Sequence, residues 1–117
     1  MKKFNENDLI KVDSESLDKT KSIFYSSRVT EKETIDTIKK IYNLKNIIID
    51  PHTAVGLKTG FNYLEQDNNC VVITLATAHP IKFSKAVNKA LGLEPKLPNR
   101  YKKIYFLKEK YKVLDNN

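Results

Sequence analysis

Between Thr30 and Gly92 the spacing of apolar residues changes repeatedly, and each change marks an element. Ile35, Ile38 and Ile41/Tyr42 recur at helical spacing. Ahead of them, Thr30 followed three residues later by Glu33 forms a capping box, where each side chain satisfies a free backbone donor at the other residue. The pattern predicts a helix over 31–43. Ile47, Ile48 and Ile49 are three β-branched residues in a row, which suits a short strand buried on both faces of a parallel sheet. Asp50 and Pro51 come directly after as an N-cap and a first-turn proline. They open a second predicted helix that carries Ala54, Val55, Phe61 and Leu64 and runs to about Gln66. Gly56 and Gly60 share a face of that helix and lower its intrinsic propensity, which implies close packing against a neighbour. Cys70 to Ala76 reads as a second buried strand, and Thr77 to Pro80 as a loop, because the residue before proline is pushed out of the helical region. Phe83, Ala86, Val87, Ala90 and Leu91 form a last helical stripe that stops at Gly92.

The flanks are less regular. Residues 1–29 are polar and weakly periodic, with Leu9, Ile10, Val12, Leu17, Ile23 and Phe24 as the expected buried positions. After Gly92, Pro95 and Pro98 mark an irregular segment around Leu97. Tyr101, Ile104, Leu107 and Tyr111 fit a helical face, while Tyr111 to Leu114 fits an extended run equally well. The chain therefore divides into a leading segment 1–29, a helix–strand–helix–strand–helix core 30–92 and a tail 93–117.

Two parallel strands joined by a helix make a right-handed crossover unit. The fold class expected from this pattern is α/β with a parallel sheet. In such a sheet the segments after both strands, 50–53 and 76–80, lie on one edge, where open α/β sheets bind ligands. Two threonine- and histidine-bearing segments are thus expected to converge.

Composition narrows the possibilities. With 117 residues, 40% apolar, the chain is at most one domain and can supply a core. No apolar run approaches the ~20 residues of a membrane helix. Residues 1–8 carry two lysines but precede no apolar stretch, so no signal peptide is expected. The single cysteine, Cys70, excludes an internal disulfide and fits a reducing, cytoplasmic setting. The net charge of +7 raises nucleic acid as a partner. Only Arg28 and Arg100 are arginines, however, and the lysines are scattered, which favours a solvated basic surface. Neither nucleic acid nor membrane is expected as a partner.

His52 and His79, the only two histidines, both fall on the expected ligand edge. Each has a structural alternative: packing at a helix start for His52, and a hydrogen bond stabilising the turn before Pro80 for His79. Two histidines without matching cysteines or carboxylates leave a zinc site short of ligands, so no metal is expected. Thr53 either bonds backbone in the first helical turn or faces a ligand, and Thr77 sits where a hydroxyl meets one more directly. Lys82 and Lys85 either neutralise a phosphate near the helix start or remain solvated. No Ser-His-Asp arrangement and no glycine-rich phosphate loop is present.

Four segments in order carry a resemblance. Ile49 to Gly56 (IDPHTAVG) and Leu75 to Phe83 (LATAHPIKF) resemble the two signature segments near the end of threonine synthases. Ser27 to Thr34 (SRVTEKET) is similar to the family's stretch before them, and Leu97-Pro98 with Tyr111 to Leu114 to its stretch after them. The resemblance implies the tryptophan-synthase-like fold of pyridoxal-phosphate enzymes, with the cofactor between two α/β domains, and makes this chain part of a three-layer α/β/α parallel-sheet domain, incomplete as it stands. It implies conversion of O-phospho-L-homoserine and water to L-threonine and phosphate. Thr77 corresponds to the hydroxyl facing the cofactor's pyridine nitrogen, and His79, His52, Thr53 and Asp50 to residues shaping the site. The family's Schiff-base lysine and cofactor-phosphate loop have no counterpart here, so no catalytic residue is assigned in this chain. The missing amino-terminal part of the enzyme is the expected partner, and a non-catalytic amino-acid or phosphate-binding module is the alternative.

Overall fold

A computed structural model describes residues 11–115. These residues form four helices, α1 (Ser14–Lys21), α2 (Glu31–Lys45), α3 (Pro51–Leu64) and α4 (Ser84–Leu91), with 3₁₀ turns at Pro80–Phe83 and Asn99–Phe106.

The capping box that opens α2 is complete. The Glu33 amide donates to Thr30 Oγ1 at 3.3 Å and the Thr30 amide to Glu33 Oε2 at 2.8 Å. The helix ends two residues beyond its predicted limit, at Asn46, whose left-handed φ of 55° lets its amide reach the Tyr42 carbonyl at 2.7 Å. Gly92 closes α4 the same way, at φ 66°. Thr34 and Thr37 are buried on α2 because their hydroxyls bond to the carbonyls of Thr30 and Glu33, at 2.9 and 2.7 Å. Helix α2 packs on both α3 and α4. The core between them is small: Ile38 and Ala54 are fully enclosed, Ala90 nearly so, and Ile35, Ile49 and Leu91 close over them. Val87 is also fully buried.

The two expected strands are corrected. Residues 47–50 and 71–77 take no regular secondary structure, and among the described residues neither forms a β-ladder. A strand needs a hydrogen-bonded neighbour, and the described residues bring none alongside either run. The expected α/β/α sheet is therefore absent among the described residues, and Ile47, expected to be buried on both faces, is exposed. Helix α3 covers one face of the second run. A Cβ added at Gly56 would stand 3.2 Å from Thr74 Cγ2, and one at Gly60 2.9 Å from Val72 Cγ1. The paired glycines form the notch into which segment 71–77 settles. Val72 and Thr74 turn inward, while Val71, Ile73 and Leu75 remain 91%, 82% and 76% exposed. This is the period-2 alternation of a strand, with one face covered.

Residues 11–29 also depart from expectation. Val12, Leu17, Ile23 and Phe24 are exposed rather than buried, and Leu9 and Ile10 lie outside the described residues. Helix α1, not expected at all, is N-capped by Asp13 and carries a Glu15–Lys19 pair at 2.7 Å. It buries no residue, and so lacks the apolar stripe that would have announced it. Tyr25 does make contact, meeting the Tyr63 ring edge-on at 5.4 Å. In the tail, Tyr111 to Leu114 takes no regular structure.

The accessible surface is 10699 Å², where a closed monomer of this mass exposes about 6,500 Å². The radius of gyration of 19.2 Å likewise exceeds the about 13 Å of a compact domain of similar length. No helix among the described residues is long and apolar enough to cross a membrane.

Candidate functional site

The start of α3 gathers the polar residues singled out in the sequence. Asp50, only 1% exposed, caps the helix: its Oδ1 accepts from the His52 amide at 2.9 Å and the Thr53 amide at 3.4 Å, and its Oδ2 accepts from the Thr53 hydroxyl. Burial on its own pushes the Asp50 carboxyl up, but these donors outweigh it and hold the group below the usual carboxylate range.

The two expected ligand-edge segments do converge, through side chains rather than through a shared sheet. The Thr77 amide donates to Thr53 Oγ1 at 3.3 Å across 24 residues of sequence. The Phe83 ring lies 4.7 Å from the His52 ring at a tilt of 59°. His52 thus packs at the helix start, with its Nδ1 3.3 Å from Asp50 Oδ1 and its outer edge open to solvent. His79 Nδ1 accepts from the Ile81 amide at 3.3 Å, capping the turn at Pro80–Phe83. Both histidines make structural contacts that differ from those expected: His52 meets the Asp50 carboxylate rather than backbone carbonyls, and His79 caps the turn that begins at Pro80 rather than one before it. The Thr77 side chain is exposed, and among the described residues its hydroxyl enters no hydrogen bond. Lys82 and Lys85 are also exposed, on the turn and first turn of α4. Among the described residues no group of three or more His, Cys, Asp or Glu side chains could hold a metal.

Thr77 stands at one end of a shallow groove of about 360 Å³ that runs along α3 beside the extended segment. Tyr25, His52, Thr59 and Tyr63 line it with the Gly56–Gly60 notch. The Ser27 and Thr59 hydroxyls meet at 2.9 Å and tie the incoming chain to the helix. Thr59 and Tyr63 escaped the sequence reading. Their signal was present, since positions 56, 59, 60 and 63 fall on one helical face beside the two glycines.

Residues 53–117 match the family model described as "Threonine synthase, C-terminal". The chain is 50% identical over 94 residues to the threonine synthase of Schizosaccharomyces pombe, covering 79% of this chain and 18% of that protein. To the Saccharomyces cerevisiae threonine synthase it is 39% identical, covering 93% of this chain and 24% of that protein. A crystal structure of PLP-bound threonine synthase from Brucella melitensis superposes with a TM-score of 0.77 at 30% identity, covering 97% of this chain and 24% of its own. The chain thus spans about a quarter or less of the relatives it matches. It belongs to the threonine synthase family, of which it corresponds to the carboxy-terminal part.

Proposed function

We propose that this chain forms one wall of a cytoplasmic, pyridoxal-phosphate-dependent threonine synthase that converts O-phospho-L-homoserine and water to L-threonine and phosphate. The reading is supported by the family match together with the position of Thr77, exposed at the mouth of the groove with its hydroxyl uncommitted. In this reading residues 30–92 are the core, 1–29 a leading segment and 93–117 a tail, all completed by the amino-terminal part of the enzyme.

The donor set fits one portion of the cofactor. Thr77 offers a neutral hydroxyl, able to donate to or accept from a pyridine nitrogen. A neutral partner does not stabilise a protonated ring as a carboxylate would, and this suits elimination and replacement at the β and γ carbons. No lysine lines the groove, so the Schiff-base lysine belongs to the amino-terminal part. When bound, the cofactor supplies the electron sink. His52, His79, Thr53 and Asp50 shape the wall around Thr77. The exposed row Val71, Ile73 and Leu75 and the unpaired backbone beside it take up the sheet of the amino-terminal part.

The test is reconstitution. The purified chain, mixed with a separately expressed amino-terminal part and pyridoxal phosphate, is expected to release phosphate from O-phospho-L-homoserine. A folded mixture that releases none overturns the reading.

A further inference from the structure

We propose that Asp50 and Thr53 are positioning residues that fix the Thr77 backbone through a one-way hydrogen-bond relay, from the Thr77 amide to Thr53 Oγ1 and from the Thr53 hydroxyl to Asp50 Oδ2. The inference deepens the proposed role of Thr77 and rests on it for its functional meaning. Its structural content stands on geometry alone.

The direction of the relay comes from counting protons. An ionised carboxylate only accepts, and a threonine hydroxyl has one proton to give. Asp50 is 1% exposed and Thr53 5% exposed, so water does not compete at either group. The Thr53 proton is committed to Asp50 Oδ2, which leaves only lone pairs on Oγ1. The donor that reaches those lone pairs is the Thr77 amide, at 3.3 Å. A charge at one end of such a chain strengthens each link. Thr53 therefore has no proton left for a ligand. Thr77 contributes its backbone to the relay, and its own hydroxyl stays uncommitted.

The relay also fixes register. Residues 71–76 are held to α3 by side-chain packing at the Gly56–Gly60 notch, and such contact tolerates sliding more readily than a directional bond. A slip of one residue would put Ala76 or Ala78 at Thr53 and turn the Thr77 hydroxyl to the opposite face. The buried carboxylate thus sets where the segment stops and which way Thr77 points.

Site-resolved amide exchange on the full chain tests this. In the wild type the Thr77 amide is expected to exchange about tenfold more slowly than those of Leu75, Ala76 and Ala78, which have no hydrogen-bond partner among the described residues. Thr53→Val, equal in shape but without the hydroxyl, is expected to abolish that protection, and Thr53→Ser to restore it. Protection of α2 reports that each variant is folded. Thr77→Ala should keep the amide protected, because the relay uses only its backbone. A Thr77 amide as fast as its neighbours in the wild type overturns the relay, and that measurement needs no variant. Unchanged protection in a folded Thr53→Val protein also overturns it. The role of Thr77 toward the cofactor fails separately, if Thr77→Ala leaves the absorption spectrum of the reconstituted enzyme unaltered.

Discussion

The corner where α2, α3 and α4 meet and the strip from Val71 to Leu75 are built from similar residues and end in opposite conditions. In the corner, Ile38 and Ala54 are fully enclosed and Ala90 nearly so, by elements close to one another in sequence. In the strip, Ile73 is as apolar as Ile38 and is 82% exposed. The difference lies in where each residue finds its neighbours. A helix closes its own backbone hydrogen bonds and needs only an apolar stripe to pack, whereas a strand needs another strand for its backbone and a layer on each face. Among the described residues the corner is closed on itself and the strip has one face open.

The largest expected effect lies in the corner. Ile38 contributes the biggest fully buried apolar side chain to a core of few residues. Ile38→Ala should cost about 2–5 kcal/mol, because so small a core has few side chains that can collapse into the space. Denaturation followed by helical circular dichroism measures it. A loss under about 1 kcal/mol would mean the corner is as loosely held as the strip.

Asp50 joins the two regions, capping α3 on one side and reaching Thr77 through Thr53 on the other. Replacing it with Ala removes a cap and leaves buried donors unmet, at a cost of about 2 kcal/mol. The pH dependence has a defined sign. The folded-state pKa is depressed, so the carboxylate stabilises the fold above the unfolded value of about 3.9, and this stability is lost as pH falls through the folded pKa. Wild type should exceed Asp50→Asn in stability at about pH 7, with the gap closing below about pH 4. Paired acid titrations followed by circular dichroism check it, since the other carboxylates are common to both proteins. A gap that stays constant down to about pH 2 would show that the charge is not what matters.

These contrasts explain what the sequence could reveal. The α2 cap, the Asp50-Pro51 start of α3 and the Gly92 stop were legible because each is decided within a single helical turn. Gly56 and Gly60 announced a close neighbour, and Val72 and Thr74 proved to be that neighbour. The convergence of 50–53 with 76–80 was also legible, although it was inferred from a sheet that the described residues do not form. The strands failed because apolar, β-branched composition records a preference for a sheet, while a ladder also needs a hydrogen-bonded neighbour, and the described residues bring none alongside either run. Helix α1 failed for the opposite reason: with Leu17 its one apolar residue, it is held by Asp13 and local pairs and leaves no periodic trace. At the site, residue types were visible but the order of the Asp50–Thr53–Thr77 bonds was not, because it depends on a contact across 24 residues.

The smallest expected effect on this chain is the sharpest test of the comparison. Ile73 points outward from a segment whose inward face rests on α3, and it loses almost no surface to its surroundings. Ile73→Thr keeps the β-branched shape and removes apolar character, so the chain's own stability should change by no more than about 0.5 kcal/mol. If the exposed row takes up the sheet of the amino-terminal part, as the proposed function has it, the same substitution should sharply weaken reconstitution, because it would place a hydroxyl in a buried layer. Denaturation of the variant alone and titration of phosphate release against the amino-terminal part give the two numbers. A loss above about 1 kcal/mol in the isolated chain would mean that the strip is already buried there, by self-association or by a fold tighter than the one described. An unaltered titration would mean that the exposed row faces solvent in the assembled enzyme too. Only a stable variant that no longer assembles fits a chain whose corner is finished and whose strip is addressed to another polypeptide segment.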